Sequence, residues 1–173
     1  MVTPALESGE GLLTAGILSI VRNMYAWGND CDRASYLVKG GALDAVVRAA
    51  KVDATGDAWS VLALMADHAI TRKRAHNELQ IPELFAGAFA RGGRVAVYAM
   101  KAMESLTGDE DRCASAIAQA AGVIEGLGGL LVATTDAASR YLALQAAYQL
   151  NNLLSRQPSG INATPLEFRS TAA

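Results

Sequence analysis

In 173 residues the chain has only two cysteines and two histidines, no marked excess of charge of either sign, and no long uninterrupted hydrophobic run. Each scarcity excludes something. His68 and His76 have Asp67 and Glu78 nearby, but they fall on different expected helices without ligand spacing, so a capping or surface role is read rather than a metal or acid–base site. A formal net charge of -2, with both signs spread along the chain, gives no field that favours nucleic acid or an anionic membrane. Ala58 to Ala66 is too short to span a bilayer, and the stretch from Gly122 to Ala133 is broken by Glu125 and four glycines. Met1 to Glu10 carries two acids and no Lys or Arg, which is neither a secretory signal nor a transit peptide.

What the chain does have is 51% hydrophobic residues against 18% charged, enough to fold as one domain that buries roughly 70% of its unfolded surface. Its hydrophobic pattern repeats. Ile17, Ile20, Val21 and Met24 recur as Ala58, Val61, Leu62 and Met65, then as Ala99, Ala102, Met103 and Leu106, each set 41 positions after the last. Offsets of 0, 3, 4 and 7 within a set mark one apolar helix stripe, and the common shift marks a repeat. Cys31 and Cys113 are 82 positions apart, two repeat lengths, so stacked helices hold them on the order of 20 Å from each other. That is too far for a disulfide or a shared metal and points to thiols in a reducing compartment, read as cytoplasmic; an organellar protein lacking its transit peptide would look the same.

Each period reads as a long helix, a short one and a medium one. The first long helix is expected from about Gly11 to Trp27. A short helix capped by Asp30 or Asp32 runs through Leu37 to Gly40-Gly41, and a medium one carries Leu43, Val46, Val47 and Ala50. The second period gives Asp57 to about His68, Arg72 to Leu79, and Pro82 to Phe89, with Pro82 in a first turn. The third gives Arg94 to Leu106, a short helix after the acidic Asp109-Glu110-Asp111, and Val123 to Val132 after Gly122, weakened by Gly126, Gly128 and Gly129. A last long helix spans about Asp136 to Ser155. There Ala146, Leu150 and Leu153 follow the earlier stripe at a spacing of 47, with Gln149 intruding. Residues 1–10 are read as a flexible N-terminus, 11–155 as the repeat domain, and 156–173, rich in Pro, Ser, Gly and Asn, as a tail.

Asp32-Arg33 through Leu37 followed by Gly41-Ala42-Leu43-Asp44-Ala45-Val46-Val47 resembles the armadillo repeat, with its polar-Arg start, its Gly before the second helix and its Leu-x-x-Leu/Val run. Asp111-Arg112 through Ile117, Gly122, Ile124 and Leu127 repeats the pattern, and Ile81-Pro82 departs from it where Gly is expected. The resemblance, to a family that grades into HEAT repeats, covers about residues 11 to 155. It implies an all-α, right-handed α-solenoid of about three three-helix repeats with an extra N-terminal helix. In that family the longest helix lines a concave groove that binds extended peptides through an Asn, with a Trp one turn earlier. The Asn positions here are Asn23, Leu64, Ser105 and Asn152, and the Trp positions are Ser19, Ser60, Lys101 and Tyr148. Only Tyr148 and Asn152 look like the pair, so a carrier of basic peptides is not expected.

Other features take modest readings. Trp59, one residue off the stripe, is assigned chiefly to packing between repeats, with a groove wall as the alternative. Arg72-Lys73-Arg74 with Lys51, Arg91 and Arg94 reads as a solvated face rather than a targeting strip. The acidic run lacks the alternating ligands of a calcium loop, and the late glycines lack a phosphate-cradling order. Asn162-Ala163-Thr164 is a sequon with no expected use here.

The chain is therefore read as a non-enzymatic interaction or scaffold module without a cofactor, binding a protein or extended peptide or serving as a subunit of a larger complex. Self-association is expected through terminal faces carrying Leu12, Leu13, Ile17 and Leu18, or Tyr141, Leu144 and Tyr148. The alternative is an enzyme's accessory subunit, similar to solenoid lyase subunits, or a helical small-molecule binder. That would need convergent polar groups in a pocket. Nucleic acid and membrane are not expected partners.

Overall fold

Apolar residues recurring three and four positions apart give each segment one face to bury, and helices packed on those faces make up the fold. The computed structural model of the chain describes residues 11–26, 35, 37–78, 81–108, 111–132 and 137–156. Trp27, Cys31, most of the first short helix, Asp109-Glu110 and the two chain ends therefore lie outside the described residues, as do the side chains of Leu12, Leu13, Ile17 and His76. The described residues are all-helical, and no strand occurs among them.

The helices are α1 (Gly11–Ala26), α2 (Ala42–Val52), α3 (Asp57–Ala66), α4 (Ala69–Glu78), α5 (Ile81–Arg91), α6 (Gly93–Thr107), α7 (Asp111–Gln119), α8 (Val123–Val132) and α9 (Ala137–Ser155). Most match the expected segments within two residues. The second short helix differs, since α4 starts at Ala69 rather than Arg72. The cause is local: the His68 carbonyl accepts from the Thr71 and Arg72 N–H groups at 3.0 and 3.1 Å, which closes a helical turn before Arg72, and the Arg72 guanidinium donates back to the Ala66 and Asp67 carbonyls at 2.9 and 2.8 Å.

The helices pack in order. α1 lies on α3, α3 on α6, and α6 on α9, while α2 lies on α5 and α5 on α8. The two rows meet through α2 with α3, α5 with α6, and α8 with α9. Among the described residues α1 makes no substantial contact with α6 or α9. One core runs between the rows, with Trp59, Phe85 and Phe89 at its centre. The Trp59 and Phe85 ring centroids are 5.3 Å apart, and Phe85 stacks on Phe89 at 6.0 Å. Trp59 is fully buried, so it packs between helices and does not wall a groove. Gly126 permits the close approach of α8 to α5, because a Cβ there would stand 3.0 Å from the Phe89 Cβ.

The stripes in α3 and α6 are buried at every expected position. The first stripe is not. Val21 is buried, but Ile20 is 60% exposed and Met24 37% exposed, and Leu18, expected on an open face, is buried instead. Among the described residues α1 packs against α3 and α2, and no preceding helix covers its other flank. In α9 the spacing of 47 leads to Ala146, Gln149 and Leu153, all buried, while Leu150 is only partly covered.

Candidate functional site

The space between α3 and α6 is shaped first by the turn that precedes α3. One Asp53 carboxylate oxygen accepts from the Thr55 and Gly56 backbone N–H groups at 2.8 and 3.1 Å, and the other accepts from Ala58 N–H at 2.8 Å. This satisfies donors that the start of a helix would otherwise leave open. Burial alone would raise the Asp53 pKa, but its hydrogen bonds to Thr55, Ala58 and Gly56 outweigh that and hold it below 3.8. Gly56 has φ +86°, and a Cβ there would meet the Arg94 carbonyl oxygen at 3.1 Å and the Tyr98 ring at 3.0 Å. Only glycine lets the loop lie this close to α6. Arg94 closes the same corner with a contact to Asp57 at 3.6 Å.

Beyond that corner an open groove with a cavity volume of about 350 Å³ lies along the two helices. α3 lines it with Ser60, Ala63, Leu64 and Asp67, and α6 lines it with Tyr98, Lys101, Glu104 and Ser105. Four residues expected from the repeat register therefore line one site: Ser60, Leu64, Lys101 and Ser105. The Tyr98 ring carries two cations, with the Arg94 guanidinium 5.4 Å and the Lys101 ammonium 5.6 Å from its centroid. Arg22 of α1 reaches the groove edge and donates to the Ser60 hydroxyl at 2.7 Å.

The other four expected residues do not line this groove. Ser19 and Asn23 are exposed on α1, next to α3, and Tyr148 and Asn152 lie on α9, with Tyr148 exposed and Asn152 half-buried. Tyr98 and Glu104 were not singled out from the sequence, and Asp67 was named only as a neighbour of His68. Tyr98, Lys101 and Ser105 follow the same three- and four-residue spacing one position ahead of the core stripe, so that flanking register carried the signal. A second depression of about 240 Å³ lies between α2 and α5, lined by Lys51, Glu83, Leu84, Gly87 and Arg91.

The grouped arginines serve the backbone. Arg74 donates to the Val38 carbonyl and to the Asp44 carboxylate, the latter at 2.8 Å. Arg91 donates to the Ala50, Lys51 and Asp53 carbonyls at 2.8–3.3 Å, and Arg156 to the Gly108 carbonyl at 2.6 Å. The Ala50, Lys51, Asp53 and Gly108 carbonyls lie at or just beyond helix C-termini, where a cation is favoured. Among the described residues no three His, Cys, Asp or Glu side chains are grouped to hold a metal ion. No single helix among them is long and apolar enough to cross a membrane. Comparison with known proteins finds no matching family model, no matching curated protein and no matching solved structure.

Proposed function

We propose that the chain is a small armadillo-like α-solenoid that acts without catalysis, holding an extended protein segment against its row of long helices or joining a larger complex through that row. The observation that carries this reading is the convergence of Ser60, Leu64, Lys101 and Ser105, equivalent positions of two successive periods, on one open groove. The ordered packing of α1, α3, α6 and α9 supports the solenoid, since among the described residues each long helix packs on the next in the row. An extended peptide has unpaired N–H and C=O groups for the Ser60 and Ser105 hydroxyls, apolar side chains for Leu64 and Tyr98, and charges for Lys101, Asp67 and Glu104. Rigid helices present these groups at little entropic cost. Arg72, Arg74 and Arg91 direct their guanidinium groups at carbonyl oxygens and, for Arg74, the Asp44 carboxylate as well, which supports a protein ligand over nucleic acid.

The test is affinity capture of the intact chain from cell extract, with mass measurement of what is retained. Replacing Leu64 by Asp together with Lys101 by Glu weakens retention of a groove ligand about five- to thirtyfold, the cost of losing contacts of about 1–2 kcal/mol. Tyr148→Ala with Asn152→Ala weakens it less. The far-ultraviolet circular dichroism and melting temperature stay as in the parent chain. An unchanged set of captured proteins with both double variants rejects the groove.

A further inference from the structure

The groove between α3 and α6 separates its charges along its length. α3 and α6 run in the same direction, since Gly56 and Asp57 at the start of one meet Arg94 and Tyr98 near the start of the other. At that end the groove is cationic: the Lys101 ammonium lies 5.6 Å from the Tyr98 ring centroid, and the Arg22 guanidinium is held on the Ser60 hydroxyl at 2.7 Å. At the other end the lining charges are Asp67 and Glu104, both exposed. Lys101 has Glu104 one turn ahead and Tyr98 one turn back, and it lies on Tyr98. Among the described residues neither acid has an ion pair, and Arg72, which reaches this end, donates to the Ala66 and Asp67 carbonyls. Asp67 caps the end of α3 and Glu104 lies in the last turn of α6, where the helix dipole disfavours negative charge. Helix stability therefore does not account for these two carboxylates, and a ligand does.

We propose that the groove selects an extended segment of another protein that carries one acidic and one basic side chain, the acid set against Lys101 and Arg22 and the base against Asp67 and Glu104. The inference rests on the groove reading above and adds the charge pattern of its ligand. From Tyr98 to Glu104 the helix advances about 9 Å, which an extended chain covers in about three residues. Charge complementarity selects this class of partner. A purely basic segment sets like charge against Lys101 and Arg22, and a purely acidic one sets it against Asp67 and Glu104. Residues 157–173 have the two charges in the wrong order. The chain leaves α9 at Arg156, which donates to the Gly108 carbonyl at the acidic end, so a run up the groove from there sets Glu167 toward the acids and Arg169 toward the cations.

A displayed library of random short peptides, selected on the intact chain and on charge variants of it, tests the proposal. The parent chain should enrich peptides with an acid and a base about two to four positions apart. Lys101→Glu should replace the acid of that pattern by a second base, and Asp67→Lys with Glu104→Lys should replace the base by a second acid. Synthetic peptides of the parent set, measured by fluorescence anisotropy, should bind the parent about three- to tenfold more tightly than their single-charge reversals, and the difference should shrink as salt is raised. The changed positions are exposed, so each variant should keep the parent circular dichroism spectrum and melting temperature. Enriched peptides that Leu64→Asp releases but that lack the charge pair overturn this inference and leave the groove reading standing. Peptides that no groove variant affects, or no enrichment on any chain, overturn both. Enrichment that appears only after Glu167→Lys with Arg169→Glu assigns the groove to residues 157–173 and overturns the separate partner.

Discussion

The α3–α6 pair and the terminal helices α1 and α9 are built on one stripe and come to different ends. In the middle pair every stripe position is buried, and the flanking register opens into a groove. At the ends two of the three α1 stripe positions with described side chains, Ile20 and Met24, are exposed, and the α9 stripe buries a glutamine. The difference shows that helical spacing fixes which face is apolar, whereas a neighbour on each side decides how much of that face is dry. A repeat unit cannot complete its own core.

The largest test of this contrast compares Trp59 with Leu18, which stand 41 positions apart in successive periods. Trp59→Ala is expected to cost about 3–5 kcal/mol of unfolding free energy, and Leu18→Ala about 2, the low end for a buried leucine. Urea denaturation of both variants reads the difference, and equal costs would mean that the end helix is as tightly held as the middle. Next comes Gln149, which is 1% exposed and has neither amide atom hydrogen-bonded. Gln149→Met removes two unpaired polar atoms at nearly constant volume and is expected to stabilise the chain by about 1–2 kcal/mol, seen as a higher melting temperature. A lower melting temperature would mean that the end helix needs its glutamine.

The smallest effect concerns the turn that positions the groove. Asp53→Ala loses an N-terminal cap and is expected to cost about 1 kcal/mol at neutral pH. Because the folded-state pKa of Asp53 lies below its usual 3.8, its contribution is fully present above the unfolded value and is lost as pH falls through the lowered one. The gap between parent and variant in a denaturation series should therefore narrow in strongly acidic solution. A gap that stays constant down to that range would separate the cap from the charge of Asp53.

Much of the helical order was legible because it rests on local signals. The stripes of α3 and α6, Gly41 before α2, Pro82 in the first turn of α5 and Gly122 before α8 all lie close in sequence to what they control. Half of the expected groove residues meet in one place because their register is tied to those stripes. Tyr98 escaped notice because its role depends on Gly56 and on the two cations around its ring, which no spacing rule brings together. Arg72, Arg74 and Arg91 read as a charged surface because their acceptors are carbonyls on other helices, and backbone acceptors carry no residue signature.

The sequence by itself determined that the chain is all-helical, where most helices begin and end, and which face of α3 and α6 is apolar, since these follow from propensity, capping and period within a few turns. The tertiary structure alone decided which apolar positions are covered. It buried Leu18 and Gln149, left Ile20 and Leu154 in solvent, and opened the groove at Tyr98, because burial depends on the helix that arrives from elsewhere in the chain.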